Sequence, residues 1–336
     1  VDTLAGVTNF SSGVDELLAD FQAYAEAQDY HDRGPATLYD PVRYAMGTRG
    51  KGVRPLLLLL THRLGLRSVE EALPAAYALE LFHTFTLLHD DIMDAAELRR
   101  GKPSVHVAYG TPSAILAGDT MLIHTYGYLL ENYPADISAA LLAEFQSMAI
   151  ELCEGQQRDM DMEGGLQATY DDYLTMIGGK TGGLMVTAMT MGAQLGKLGD
   201  DSIHAVREAA KLAGRAFQIQ DDILDTFSTT AQTGKSDYGD IVRGKQSAPY
   251  VRALELANPQ QAGELQQLYS QAPAAREQQL EHILGIYRNL GVEKELSAEV
   301  QRMSEAASEQ LASVEGDAKA RDTLIAFTKR LASRTY

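Results

Sequence analysis

Residues 87–94 read LLHDDIMD and residues 218–225 read QIQDDILD. Each places three aspartates in a stretch whose other residues, apart from His89, Gln218 and Gln220, are apolar and spaced as in a helix. On a helix, residues four apart lie about 40° from one another around the axis and neighbours about 100°. Asp90, Asp91 and Asp94 therefore share one side of one helix, and Asp221, Asp222 and Asp225 share one side of another. Burying uncompensated carboxylates is costly, and adjacent ones resist joint ionisation. A lone DDxxD is commonly a solvated helix face. Here the flanks FTLL, IM, FQI and IL are apolar and the arrangement occurs twice, which argues for two acidic walls that hold a cation.

The rest of the chain agrees with helices. Apolar residues recur at three- and four-residue intervals almost throughout, and alternating Val, Ile and Thr runs are scarce, so the expected fold class is all-α. Gly and Pro mark expected breaks at 32–41, 47–55, 99–104, 133–136, 163–167, 229–240 and 257–261. Segments 68–95, 137–162 and 201–227 are expected to be central helices, apolar on more than one face. Beyond residue 257 the chain is richer in Gln, Glu and Ala, as expected of peripheral helices. No linker divides it. Residues 1–336 read as one domain, with about residues 1–13 disordered.

Bulk properties exclude several functions. There are 29 Lys and Arg against 46 Asp and Glu, a formal charge of -17. Such a surface repels nucleic acid and anionic lipid. The longest aliphatic run, PLLLLLT at 55–61, is far shorter than the ~20 residues of a membrane span, so no stable membrane insertion is expected and a cytoplasmic location is. Cys153 is the only cysteine, which rules out an internal disulfide; it reads as a small apolar side chain buried in a helix.

Oxygen-only donors without His or Cys between them suit a hard divalent ion, and Mg²⁺ commonly combines a few carboxylates with phosphate oxygens of a substrate. Two facing carboxylate clusters holding several Mg²⁺ ions call for a polyanionic third party, best a diphosphate. Cations stand ready in Gly- and Pro-marked segments: Lys51 and Arg54 in GKGVRP, Arg99 and Arg100 in LRRGKP, Lys180 in GGKTGG, Lys235 in TGKSD and Lys245 in RGKQS. Any one of them alone reads as a surface cation.

With its motifs in order, GKGVRP, FHTFTLLHDDIMDAAELRRGKPSVH, GGKTGGL, FQIQDDILD and GKSDYGDIVRGK, the chain resembles the trans-isoprenyl diphosphate synthases of the polyprenyl synthetase family from about residue 40 to about 255. The resemblance implies an isoprenoid-synthase-type helical bundle around a central cavity, with the acidic segments facing each other, usually as a homodimer. It implies that Asp90, Asp91, Asp94, Asp221, Asp222 and Asp225 bind Mg²⁺ bridging an allylic diphosphate. Arg99, Lys180, Thr181, Gln218, Lys235 and Lys245 would contact that diphosphate, and Lys51, Arg54, His83 and Arg100 that of isopentenyl diphosphate. Asp90, Asp94, Asp221, Lys180 and Arg99 would carry the catalysis. His89 and His106 read as packing groups. The family's first loop usually reads Gly-Gly-Lys-Arg before x-Arg-Pro; here Arg49 and Gly52 depart from it.

The implied reaction is a Mg²⁺-dependent head-to-tail condensation of isopentenyl diphosphate with dimethylallyl, geranyl or farnesyl diphosphate. Chain length would depend on the residues upstream of Asp90: Phe85, Thr86 and Phe82. A large aromatic five positions before Asp90 resembles the geranylgeranyl-forming subgroup; farnesyl or a slightly longer product is the alternative. A type I terpene cyclase would normally show one aspartate segment with an Asn/Ser/Glu triad. A non-catalytic subunit of a heteromeric synthase tends to lose aspartates or the basic loop, and both are present here.

Overall fold

The computed structural model describes residues 12–333, apart from residues 29, 31, 49, 164, 166 and 229–237. Helices α1 (Ser12–Ala27), α2 (Ala36–Gly47), α3 (Val53–His62) and α4 (Leu73–Met93) lead to a hairpin of β1 (Leu98–Arg99) and β2 (Lys102–Pro103). They are followed by α5 (Val105–Tyr109), α6 (Thr111–Asn132), α7 (Ala135–Glu163), α8 (Tyr170–Ile177), a π-helical turn (Gly178–Gly182), α9 (Gly183–Leu195) and α10 (Asp200–Phe227). The remainder is α11 (Gly239–Arg243), α12 (Ala248–Leu256), α13 (Pro259–Tyr269), α14 (Pro273–Gln278), α15 (Leu280–Leu290), α16 (Val292–Ala312) and α17 (Ala318–Ala332). The all-α expectation holds; among the described residues the short hairpin is the only sheet.

Helix α4 begins with Pro74 in its first turn, where the missing N–H costs nothing. Apart from Pro74, it is buried on every side from Leu73 to Thr84. From Phe85 on, only Leu88 and Asp91 are buried, so the helix passes out of the core as it reaches its acids. It packs chiefly on α6. Helix α10 buries Ala205, Ala209, Ala213, Ala216 and Ile219 at helical intervals, and Val206, Ala210 and Gly214 on an adjoining face.

Two apolar clusters form the core. The larger joins α1–α4 with α6, α7, α9 and the first half of α10. Leu57, Leu58 and Leu59 of α3 are fully buried within it, each stabilising the fold by about 1.5–3 kcal/mol relative to exposure. The smaller is built from α8, α12, α13, α15 and α16 on the second half of α10, around Ile219, Ile223 and Tyr287. Helix α10 thus belongs to both.

Several sequence expectations change. Ser12 and Gly13 already belong to α1, while residues 1–11 of the segment read as disordered lie outside the described residues. The break at 32–41 becomes helical from Ala36, with Pro41 inside α2 in place of a helix stop. Helix α7 buries a single stripe that includes Leu141, Phe145, Met148 and Met162, not several faces, and Cys153 on its other side is exposed, not buried. The polar C-terminal helices are not all peripheral. Leu296 and Leu311 of α16 are fully buried, and α16 is the most extensive partner of α10; its Gln and Glu residues are exposed apart from Glu299, which pairs with Arg252 at 2.5 Å.

Candidate active site

The first acidic wall is the last turn of α4. Asp91 is buried and its carboxylate accepts Arg99 Nε at 2.9 and 3.2 Å, with a further bond from Arg99 Nη2. Arg99 is delivered by the hairpin, whose turn residues Arg100 and Gly101 both have positive φ (54° and 75°), the conformation of a tight two-residue hairpin turn. Asp90, half-buried, lies 3.8 Å from both Arg99 Nη2 and Lys180 Nζ. Burial raises its carboxyl pKa above the ordinary value, Lys180 partly offsets this, and the charge of Asp94 raises it again. Arg99, despite its burial, holds its proton more tightly than a free arginine because of Asp91, Asp90 and Asp94.

The second wall is the C-terminal half of α10. Asp222 is buried and accepts hydrogen bonds from Tyr173 Oη (2.7 Å), Gln218 Nε2 (2.9 Å) and the Ala248 backbone N–H (2.9 Å). Burial raises its pKa, as does the nearby charge of Asp240, against those three donors. Asp225 accepts the Asp240 N–H at 3.0 Å, and Asp221 and Asp225 are half-buried. In both motifs the middle aspartate turns inward and anchors a neighbour, which leaves the outer two nearer the open side.

A third acidic side chain, absent from the sequence reading, is Asp159 on α7. It pairs with Lys180, which stands in the π-helical turn. Thr169 opens α8 with a capping box, its hydroxyl accepting Asp172 N–H and its own N–H donating to Asp172. That fixes the helix which carries Tyr173 and ends in the turn bearing Lys180 and Thr181. Lys245, just before α12, lies 3.4 Å from Glu163 and holds its proton tightly; its burial acts against this, but Asp159, Asp240, Glu163 and Asp94 outweigh it.

The other basic set lies behind α4. Arg54 Nη1 donates to His83 Nε2 at 3.0 Å; because arginine only donates, the ring proton of His83 is on Nδ1. Burial, then the charges of Arg54, Arg100 and Arg99, lower the His83 pKa well below that of a free imidazole and keep it neutral. Arg100 donates to the Thr48 carbonyl, with its guanidinium against Gly50, where a Cβ would lie 2.4 Å from Nη2. Lys51 is exposed beside it in the turn that precedes α3. Glu80, also missed from sequence, is buried among these cations and is the leading carboxylate influence on both Arg54 and Arg100. His83 Nδ1 and Arg54 Nε are buried without a hydrogen-bond partner among the described residues.

The sets bound one region. Arg54, in the first turn of α3, feels Asp221 of the second wall, and Lys245, from beyond the second wall, feels Asp94 and Asp90 of the first. A small cavity of about 20 Å³, room for roughly one water, is lined by Asp91, Arg99 and Arg100. Lys235 lies outside the described residues. Phe85 is half-buried, its ring centroid 5.3 Å from that of the buried Phe82 and 4.8 Å from that of His89. Thr86 spends its hydroxyl on the His83 carbonyl. His89 Nε2 is 3.3 Å from the Ile115 carbonyl and His106 Nδ1 is 3.1 Å from Ser104 Oγ, both packing contacts.

Among the described residues no three His, Cys, Asp or Glu side chains already gather as a ready-made metal cage. The walls instead offer carboxylate oxygens in pairs, the donor set Mg²⁺ uses when phosphate oxygens complete its octahedron. Asp90 is a carboxylate whose burial, more than the charge of Asp94, raises its pKa against the opposing charges of Lys180, Arg99 and Lys245. These residues fit a divalent cation.

The polyprenyl synthetase family model matches residues 35–287. The chain belongs to the polyprenyl synthetase family. The chain is 38% identical over 230 residues to a short chain isoprenyl diphosphate synthase of Methanocaldococcus jannaschii, covering 68% of this chain and 70% of that protein. It is 39% identical over 223 residues to a geranylgeranyl diphosphate synthase of Methanosarcina mazei, covering 66% and 68%. A solved geranylgeranyl pyrophosphate synthase superposes with a TM-score of 0.89 at 32% identity, covering 96% of this chain and 99% of that one.

Proposed function

We propose that this polyprenyl synthetase joins isopentenyl diphosphate head to tail to an allylic diphosphate, with Mg²⁺, and releases geranylgeranyl diphosphate. The observation that carries the reading is the arrangement of two acidic walls around one region with a cationic set on each side: Arg99, Lys180 and Lys245 among the aspartates, and Arg54, Arg100 and neutral His83 behind α4. Two diphosphates need two such places. The unpartnered donors His83 Nδ1 and Arg54 Nε cost about 1–3 kcal/mol each while buried, a cost that an arriving isopentenyl diphosphate removes. The names of the Methanosarcina and solved relatives support the product.

Asp90, Asp94, Asp221 and Asp225 would hold Mg²⁺, which supplies Lewis-acid stabilisation of the departing diphosphate. Asp91 keeps Arg99 aimed, and Asp159 and Asp90 keep Lys180 aimed, so both cations are in place before charge develops. The allylic carbon–oxygen bond breaks, the isopentenyl double bond attacks the resulting cation, and a proton leaves to the departing diphosphate, with Thr181 and Gln218 nearby. No side chain serves as nucleophile. Phe85, one helical turn and a fraction before Asp90, is the proposed floor of the growing chain.

A homodimer is part of the proposal. Leu116, Ile123 and Leu130 recur every seven residues along α6 and are 58%, 70% and 57% exposed, an apolar stripe of the kind that pairs with a copy of itself. Among the described residues no helix is long and apolar enough to cross a membrane. A cytoplasmic location is proposed with it, and the charge of -17 supports the absence of a nucleic-acid partner. The test is incubation with labelled isopentenyl diphosphate and each allylic starter, with and without Mg²⁺, reading product length by chromatography. Magnesium-dependent twenty-carbon product supports the proposal; no product from any starter overturns it and favours a non-catalytic subunit.

A further inference from the structure

We propose that Gly155 on α7 and Gly214 on α10 are positioning residues that clamp the π-helical turn Gly178–Gly182 from two sides and so aim Lys180 at the first acidic wall. A π turn places one extra residue in the helix and rotates the residues after it; such turns are rare and concentrate at functional sites. This one carries Lys180, whose Nζ lies 3.8 Å from Asp90 Oδ1 and pairs with Asp159.

The backbones of three elements touch here with no side chain between them. A Cβ at Gly155 would lie 2.4 Å from the backbone nitrogen of Lys180 itself and 3.0 Å from the Gly179 carbonyl carbon. In the reverse direction, a Cβ at Gly179 would lie 2.5 Å from the Glu151 carbonyl oxygen and 3.4 Å from Gly155 Cα. On the other flank, a Cβ at Gly214 would lie 2.9 Å from Gly182 Cα. These neighbours are backbone atoms, which cannot swing aside as a long side chain can. The contact with α7 is therefore glycine against glycine at the residue before the lysine, and that with α10 is the same at the end of the turn. By contrast, Gly178 has nothing within 4 Å of its Cβ position, so the requirement for a bare backbone belongs to the clamped points and not to the glycine-rich run as a whole.

The clamp rests on the prenyl-transfer reading for the role of Lys180, but its geometry can be read without it. The experiment compares wild type, Gly155→Ala, Lys180→Ala and the double variant in the 336-residue chain, with Gly263→Ala on α13 as control, because a Cβ there would meet nothing within 4 Å. In the Lys180 background, Gly155→Ala should lower kcat on the order of 100-fold, the scale of an ångström-sized misplacement. In the Lys180→Ala background it should change kcat by less than about 3-fold, because the side chain it misaims is already gone. Gly263→Ala should leave kcat unchanged. An equal effect of Gly155→Ala in both backgrounds, or none in either, overturns the proposal. Should Gly155→Ala fail to fold, Gly214→Ala, which presses on Gly182 alone, must show the same non-additivity or the proposal falls. Urea unfolding of wild type, Gly155→Ala, Lys180→Ala and the double variant provides a readout without substrate: the stability cost of Lys180→Ala should vanish once Gly155→Ala has separated Lys180 from Asp159, and its persistence would also overturn the clamp. A wild-type chain that transfers no prenyl group refutes the proposed reaction and leaves this second cycle to decide the clamp.

Discussion

Adjacent aspartates in the first acidic motif should answer the same substitution with opposite signs in stability. Asp91 is 3% exposed and its carboxylate receives Arg99 through both Nε and Nη2. Breaking a buried ion pair from one side costs about 3–5 kcal/mol. Arg99 keeps 33% of its side-chain surface and stands 3.8 Å from Asp90, so solvent and Asp90 recover part of that loss, and about 2 kcal/mol is expected for Asp91→Asn. Asp90 is the reverse case. Its pKa is raised by burial first and by Asp94 later, with Lys180 opposing, so the folded state binds its proton more tightly than the unfolded state and ionisation at neutral pH works against folding. Asp90→Asn should therefore stabilise the metal-free protein. Both variants should lose activity, Asp91→Asn by on the order of 100-fold through misdirection of Arg99. Urea unfolding without divalent ions, paired with initial rates in Mg²⁺, separates the two. If Asp91→Asn unfolds within about 0.5 kcal/mol of wild type, the spread of ordinary surface substitutions, or if Asp90→Asn is the more destabilised, the inward-anchor account is wrong.

His62 is fully buried with Nε2 donating to the Ser68 carbonyl at 2.9 Å, and its burial lowers its pKa. The unfolded state then binds the extra proton first, so this contribution to stability is present above about pH 6.5 and is lost as pH falls from there through the lower folded pKa; thermal melts should show wild type losing ground to His62→Gln on acidification, and parallel curves would refute the assignment. Phe85→Ala should lengthen the products, read by reversed-phase chromatography, and an unchanged spectrum would remove Phe85 as the floor. Ile123→Glu, at the most exposed point of the α6 stripe, should halve the mass measured by light scattering at micromolar concentration; an unchanged mass would place the interface elsewhere.

The sequence displayed the acids well because acidic residues that interrupt an apolar helix are expensive and therefore informative. It displayed their division of labour poorly. Nothing in LLHDDIMD says that Asp91 turns inward to Arg99 while Asp90 looks toward Lys180, because both lie on one side of the helix and only the hairpin after α4 separates them. Asp159 was lost for a different reason: EGQQRDMDME carries several acids on one exposed helix, and only the pairing with Lys180 singles one out. Glu80 fell inside a run buried on all sides, where a carboxylate with distant partners leaves no periodic trace, and Tyr173 serves Asp222 from a helix 49 residues earlier in the chain. Cys153 shows the limit of frequency arguments, since the buried habit of free cysteine yields to the one-sided burial of α7.

Helix α4 carries both the proposed length gauge and the charged wall, and the two are joined by an unbroken ladder of backbone hydrogen bonds. Five residues of helix set Phe85 and Asp90 about 7.5 Å apart along the axis, and no side-chain exchange at Phe85 alters that spacing. On the proposed reading, an exchange at Phe85 changes the room left for the growing chain while the aspartates one turn on keep their place.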